Sequence, residues 1–291
     1  MRKNLIYKLF FTVIGLLLYT AVSGFCEESG TQAMEKNKKV LYLFAHQDDE
    51  LGTIGKMATD VKAGNEVFAV WITDGALSGP PDVREKESRS VMKMIGVPQK
   101  NLFFLGYPDM DSYEHLSEVY RDVLKTAEDI EPIEITSNAY EGGNIDHDTS
   151  NFIGAQVAKI LKTGPVHYEF PTYNMHKGNY QVGKFLPRND SKTLYIPLND
   201  ESINLKLKAL EMYPSQAELL NVLKALVSRS ALRRYGEPYR VTPKYDYTQR
   251  PIEEPLGYEV ATRMPRKFES WREAIKGFFS DNPSDSPNQL K

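Results

Sequence analysis

Val40-Leu41-Tyr42-Leu43-Phe44 runs directly into Ala45-His46-Gln47-Asp48-Asp49-Glu50. An unbroken apolar run of this length reads as a strand covered on both faces, the habit of a parallel sheet. The same pattern recurs downstream. Strands are predicted at 67–72, 102–105, 133–137 and 166–170, the first two of them apolar throughout, with helices at 53–63, 83–95, 114–129 and 151–161. Gly64, Gly96 with Pro98, and Gly164-Pro165 stop three of those helices. Strands alternating with helices predict an α/β fold, a mostly parallel sheet with helices on both faces. After Pro171 the pattern loosens into a C-terminal subregion. Helices are predicted at 203–211 and 215–227, and residues 233–258, rich in Tyr, Arg and Pro, read as long loops or short strands.

The chain of 291 residues is ample for one large α/β domain. A hydrophobic share of 41% and a charged share of 26% suit a globular protein, and a formal charge of −3 makes no electrostatic case for nucleic acid. The first residues differ. Arg2, Lys3 and Lys8 precede an apolar run over 9–19, and Ala21, Ser23 and Gly24 come after it. Positive start, apolar middle and small-residue exit predict a signal peptide over 1–25 with a cut after Ser23. Its removal takes the charge from −3 to −6 and leaves a periplasmic or extracellular chain without a membrane span. An uncleaved anchor is the alternative, and the charge order exports the downstream chain in either case. Residues 26–37 read as a linker, 38–275 as a single domain, and 276–291, which include Ser280-Asp281-Asn282-Pro283-Ser284-Asp285, as a disordered tail. Cys26 is the sole cysteine, so no internal disulfide exists; Phe25 stands where lipidation usually wants a small residue.

Two polar constellations carry the chemistry. Sites in open parallel sheets form at the carboxyl ends of strands, and His46 to Glu50 sits at the first such end. The acids could cap the next helix, since carboxylates favour its positive end, but capping does not account for His46. A metal accounts for the set. Imidazole and carboxylate are mixed ligands that zinc accepts at an open catalytic site, so His46 and Asp49 can share one ion while Asp48 stays free as a base. Gly142-Gly143-Asn144-Ile145-Asp146-His147-Asp148 comes after the fourth strand, again at a carboxyl end. His147 there is either a third ligand or an ordinary surface histidine beside a helix cap.

Together the two stretches resemble the PIG-L/LmbE family of zinc-dependent deacetylases of N-acetylglucosamine conjugates, whose fold is Rossmann-like. Other similar pieces occur in order: Thr73-Asp74-Gly75, Arg84 with Glu87, Phe104 to Asp109, and Lys208 to Gln216. The similarity spans about residues 38–240. It implies His46, Asp49 and His147 as ligands of one Zn2+, Asp48 as general base, and Asp146 as a carboxylate supporting the position two residues before it. It places Arg84 and Asp109 in segments that line the substrate pocket. The implied substrate is an N-acetylated sugar or glycoconjugate. Two positions depart from the pattern. Gln47 replaces a proline, which should cost loop rigidity. Asn144 replaces a histidine that helps stabilise charge on the carbonyl oxygen; an amide can still donate a hydrogen bond there but cannot carry charge.

Three competing classes remain open on sequence. A magnesium phosphoesterase is disfavoured by histidine ligands. A sugar-binding relative with weakened catalysis is allowed by Asn144 and disfavoured by retention of Asp48. A nucleic-acid module would use the Arg/Tyr stretch from Arg233 to Arg250, which Glu237 and Asp246 interrupt.

Overall fold

β1 (Lys39–Phe44) is the central one of five parallel strands in a seven-stranded sheet, in a computed structural model that describes residues 38–217, 229–261 and 264–282. It pairs in parallel with β2 (Glu66–Thr73) on one side and β4 (Glu134–Asn138) on the other, Val40 facing both Val67 and Glu134. β3 (Leu102–Tyr107) extends the sheet beyond β2, and β5 (Val166–Phe170) beyond β4, both in parallel. The strand order is therefore 3-2-1-4-5 across the parallel part. β9 (Glu237–Val241) and β8 (Leu194–Ile196) then add two antiparallel strands at the β5 edge.

Alternation along β1 builds two cores. Leu41 and Leu43 face α3 (Leu116–Ile130), α4 (Ile145–Ile160) and α8 (Phe268–Asp281), whose Val119, Val123, Phe152, Ile153, Trp271 and Ile275 share one cluster. Val40, Tyr42 and Phe44 face α1 (Ile54–Lys62), α2 (Pro81–Met94) and α5 (Asp200–Glu211) through Met57, Val91, Met92 and Leu210. Successive strand side chains point to opposite faces, so an all-apolar strand must be covered twice. Each large side chain buried there contributes about 1.5–3 kcal/mol. The short α6 (Arg229–Tyr235) joins a small third cluster through Leu232, α7 (Gly257–Val260) adds Tyr258 to the first, and β6 (Tyr173–His176) with β7 (Asn179–Val182) forms a separate antiparallel hairpin.

Two sequence expectations need correction, the start of α4 and the tail. α4 begins at Ile145, six residues before the predicted start, because its first turns are polar and face the site, not an apolar layer. The predicted tail from 276 is helical as far as Asp281; Phe278 is buried and packs edge-on against Phe152 at 4.9 Å. Of the helix predicted over 215–227, the described residues are a 3-10 turn over Pro214–Gln216 and the helical Ala217, and the rest lies outside the described residues. Within the Arg/Tyr stretch, Arg233 and Arg234 are exposed and Arg240 is not. Arg240 is 1% exposed and donates to Glu169 on β5 at 2.6 Å, which joins the antiparallel strands to the parallel ones. The predicted signal peptide, the linker, Cys26 and the last nine residues lie outside the described residues. No helix among the described residues is long and apolar enough to cross a membrane.

Candidate active site

The connection from β1 runs to β2 on one side, and that from β4 runs to β5 on the other, so a crevice opens between the carboxyl ends of β1 and β4. The Ala45 N–H donates to Asn138 Oδ1 at 3.1 Å, tying the two strand ends together. Both polar constellations open into this crevice. His46 to Glu50 forms a tight turn in which Asp49 Oδ2 accepts from the His46 N–H at 2.8 Å and Asp49 N–H donates to His46 O at 3.2 Å. Asn144 starts α4 as its N-cap, its Oδ1 accepting from the Asp146 N–H at 2.7 Å, and this sets His147 in the first turn.

The result brings His46, Asp49 and His147 together. One donor atom from each lies within 4.8 Å of the others, and all three residues are buried. Asp49 sits between the rings, with Oδ1 3.1 Å from His147 Nε2 and Oδ2 3.6 Å from His46 Nδ1. The rings approach edge-on at 5.2 Å. Burial disfavours the Asp49 charge, but His147 and His46 outweigh it and hold the carboxyl well below the ordinary range. Burial likewise opposes the His46 imidazolium, yet Asp109, Asp146 and Asp49 outweigh it and hold its pKa well above the usual value. Two imidazoles and one carboxylate converging with their donor atoms inward fit a divalent metal with an open position. A second group, His46 with Asp109 and Asp146, also lies within 4.8 Å. It fits less well, because the Asp146 oxygens already accept from Met110 N–H (2.5 Å), Ser112 N–H (3.2 Å) and Ser112 Oγ (2.6 Å).

Asp48 stands beside the cluster. Its side chain is 19% exposed, against 6% for Asp49, so it is the acid of the turn that solvent reaches. Its backbone has φ 131°, a left-handed value that an Asp side chain rarely adopts. Such strain costs about 1–3 kcal/mol and persists only where neighbours hold it. Here Glu50 accepts from the Asp48 N–H at 2.9 Å, and Arg84 Nη2 reaches Asp48 Oδ2 at 3.0 Å. Burial pushes the Asp48 carboxyl up to about 7, against the pull of Arg84. Glu50 is itself fixed by Tyr213, whose hydroxyl donates to it, and by the Trp71 indole N–H at 3.2 Å.

Several expectations change here. Arg84 is 1% exposed and does not line a pocket; it binds Asp48, Gly75 O (3.0 Å) and Gln47 O, so it holds the turn from behind. Asp109 also turns inward, with Oδ1 3.2 Å from His46 Nε2 and Oδ2 accepting from Leu77 N–H. The Asp146 carboxylate supports His46 at 3.1 Å, while the side chain of position 144 is held by the Asp146 backbone N–H. Gln47 does not loosen the loop. It is 2% exposed, and its amide donates to Thr73 O at 2.8 Å. Sequence reading missed Ser112, Thr172 and Tyr173. Thr172 Oγ1 lies 2.8 Å from His147 Nδ1, and Asn144 Nδ2 donates to the Tyr173 hydroxyl at 3.1 Å. The signal for Thr172 and Tyr173 was their position directly after β5, at a third strand's carboxyl end.

Residues 41–158 match the family model described as PIG-L: GlcNAc-PI de-N-acetylase, a stretch that contains both constellations. No curated protein sequence matches the chain. Solved structures that resemble it include a deacetylase of teicoplanin biosynthesis, with 16% identity, 72% of this chain and 100% of that one covered, and a TM-score of 0.57. N,N'-diacetylchitobiose deacetylase from Pyrococcus horikoshii shares 20% identity over 71% of this chain and 84% of its own, at a TM-score of 0.52. The A40926 pseudoaglycone deacetylase shares 14% over 76% and 100%, at 0.56. At these identities the likeness establishes the fold, and the family model covers the half of the sheet that bears the site. The chain thus has the α/β fold of those deacetylases, and its stretch from β1 through α4 is similar to the PIG-L family model.

Proposed function

We propose that this chain hydrolyses the N-acetyl group of an amino sugar or glycoconjugate, using one zinc ion held by His46, Asp49 and His147, and that it works after export. The observation that carries the reading is the convergence of those three donors, within 4.8 Å, beside a strained and solvent-reachable Asp48. The family description concerns de-N-acetylation of a GlcNAc conjugate, and the similar solved proteins are deacetylases, which supports the same reaction class. One of them is described in a zinc-inhibited form, so the identity of the ion calls for direct measurement.

The reaction adds water across the amide. The C–N bond breaks, a C–O bond forms, and acetate and a free amine leave. Bound in this cluster, zinc supplies Lewis acidity toward the amide carbonyl and toward water. The chain's own groups do the rest. Asp48 takes the proton of the attacking water and passes it to the departing nitrogen, which leaves poorly unless protonated. Arg84 keeps that carboxylate in place from the buried side. Asp109 and Asp146 orient His46, and Thr172 orients His147, as hydrogen bonds to a ligand's second nitrogen commonly do. Tyr180, 45% exposed and stacked on Tyr173 at 5.4 Å, offers a flat apolar face on which a sugar ring can lie.

The test is acetate release from a panel of N-acetylated glycans, with and without a chelator, and metal content on the same sample. Release that a chelator abolishes supports the reading. A metal-loaded protein that binds an N-acetyl sugar and releases nothing would make this a sugar-binding relative. Export rests on Arg2, Lys3, Lys8 and the apolar run after them, and N-terminal sequencing of cell-derived protein should begin near Gly24. A soluble cytoplasmic product with Met1 intact rejects it.

A further inference from the structure

Asn144 does not present a free amide to the crevice. Its Oδ1 is engaged by the Asp146 N–H, and its Nδ2 donates to the hydroxyl oxygen of Tyr173. An amide held at both ends orients its neighbour. The Tyr173 oxygen accepts from Asn144, so its own hydrogen is directed away from that amide. Among the described residues no acceptor takes that hydrogen. Resting on the deacetylase reading, we propose that Tyr173 donates this hydrogen to the carbonyl oxygen of the substrate's acetyl group as negative charge builds there, and that Asn144 is the residue that positions it.

Placement supports this. The Tyr173 ring lies 5.0 Å from the His147 ring, edge-on, and its chain neighbour Thr172 bonds the other side of that imidazole. The phenol therefore stands at the rim of the metal cluster, on the side where α4 begins. The backbone holds it there by close contact. A Cβ on Gly143 would meet the Tyr173 carbonyl oxygen at 1.8 Å, so only glycine lets the two segments touch. The β6–β7 hairpin clamps the other side, with Tyr173 paired to Val182, Gly183 N–H donating to Thr172 O at 2.8 Å, and the ring stacked on Tyr180. Three elements thus converge on one hydroxyl that the protein leaves unspent. A neutral donor fixed before the reaction stabilises an oxyanion without having to reorganise. It takes over the part that Asn144, turned toward Tyr173 and the helix backbone, does not play directly.

The experiment compares wild type, Tyr173→Phe, Asn144→Ala and the double variant, each loaded with zinc. Kinetics on a chitooligosaccharide are read beside metal content and affinity for two ligands: the planar N-acetyl sugar and a tetrahedral methylphosphonamide analogue of it. Tyr173→Phe should lower kcat by ~10²-fold or more, the usual loss for one oxyanion donor, with KM within about threefold and zinc unchanged. Its affinity for the tetrahedral analogue should fall by a similar factor while the planar sugar binds as before. Asn144→Ala should lower kcat by roughly tenfold, and the double variant should be no slower than Tyr173→Phe, because the amide acts through the phenol. Unchanged kcat in Tyr173→Phe overturns the proposal, as does a double variant slower by the product of the single effects, or zinc loss from Tyr173→Phe, which would make the tyrosine scaffold. A wild type that neither releases acetate nor binds the analogue defeats the deacetylase reading and this proposal with it. A wild type that does both, beside an unaffected Tyr173→Phe, defeats this proposal alone.

Discussion

Replacing Arg84 with Met separates two accounts of this residue. The similarity of its segment to pocket-lining regions suggests a substrate contact, whereas the structure has it 1% exposed behind the His46–Glu50 turn. Its guanidinium serves three oxygens: Asp48 Oδ2 at 3.0 Å, Gly75 O at 3.0 Å, and Gln47 O. Methionine keeps the length and apolar stem but leaves all three without that donor. Removing one partner of a buried ion pair costs about 3–5 kcal/mol, and hydrogen bonds to charged groups contribute about 1.5–3 kcal/mol each. Asp48 is 19% exposed and can recover some hydration, so a total of about 3–5 kcal/mol is expected. For a domain of this size each kcal/mol moves Tm by about 2–4 °C, which makes the drop roughly 6–20 °C. The strained Asp48 backbone relaxes once its clamp is gone, and kcat should fall by ~10²-fold, the lower range for a positioned base. KM should stay within about threefold, because Arg84 touches no substrate. Arg84→Lys should fall between, since one ammonium cannot span three oxygens as a planar fork does. Thermal unfolding and steady-state acetate release decide the matter. A KM raised tenfold or more, with kcat and Tm unchanged, would refute the structural account and return Arg84 to the substrate pocket.

Three further outcomes are expected. His46→Ala and His147→Ala should each lower zinc from about one per chain to near zero by elemental analysis, and full occupancy in both would reject the ligand set. Asp48→Asn should keep its zinc and its sugar affinity while losing ~10²-fold or more of acetate release; an unchanged rate would remove Asp48 from proton transfer. Glu141, 3% exposed, has its carboxyl pushed up to about 8 by burial, against hydrogen bonds from Leu186 N–H and Asn174 Nδ2. The folded chain keeps that proton where the unfolded chain, near 4.5, has lost it. The folded state then binds more protons, so stability should decline between pH ~4.5 and ~8 by about 1.4 kcal/mol per unit from this group. Glu141→Gln should remove that slope in chemical denaturation across the range, and parallel profiles for the two proteins would contradict the assignment.

The half of the fold that the sequence made legible is the half in which both faces of each strand are covered. Val40 to Phe44 and Val67 to Ile72 announce themselves because burial on two sides leaves no polar alternation to confuse them with loops. β9 was not legible. Glu237-Pro238-Tyr239-Arg240-Val241 looks like surface until Arg240 meets Glu169 across the sheet. The first turns of α4 were missed for a related reason. Asp146, His147 and Asp148 are buried in a hydrogen-bonded polar cluster, not in apolar packing, so they carry no helical stripe. Phe278 and Phe279 sit just before the polar run that suggested a tail, and their packing against Phe152 carried the helix to Asp281.

In the candidate site the same division holds. Residue types within one turn at a strand's carboxyl end nominated His46, Asp48 and Asp49, because covalent spacing confines that turn to one place, and the resemblance to the PIG-L/LmbE family implied His147. Partnership between turns is different. His46 meets Asp146 across 100 residues, and His147 meets Thr172 across 25. Those pairings exist because β1, β4 and β5 lie side by side, and strand order is a property of the assembled sheet. The sequence alone therefore determined which residues could bind an ion and which could take a proton. Tertiary structure alone decided that Arg84 and Asp109 face inward, that Asp146 serves His46, and that Asn144 turns to Tyr173. A hydrogen bond acts over about 3 Å, and no periodicity along the chain encodes which distant residue arrives within it.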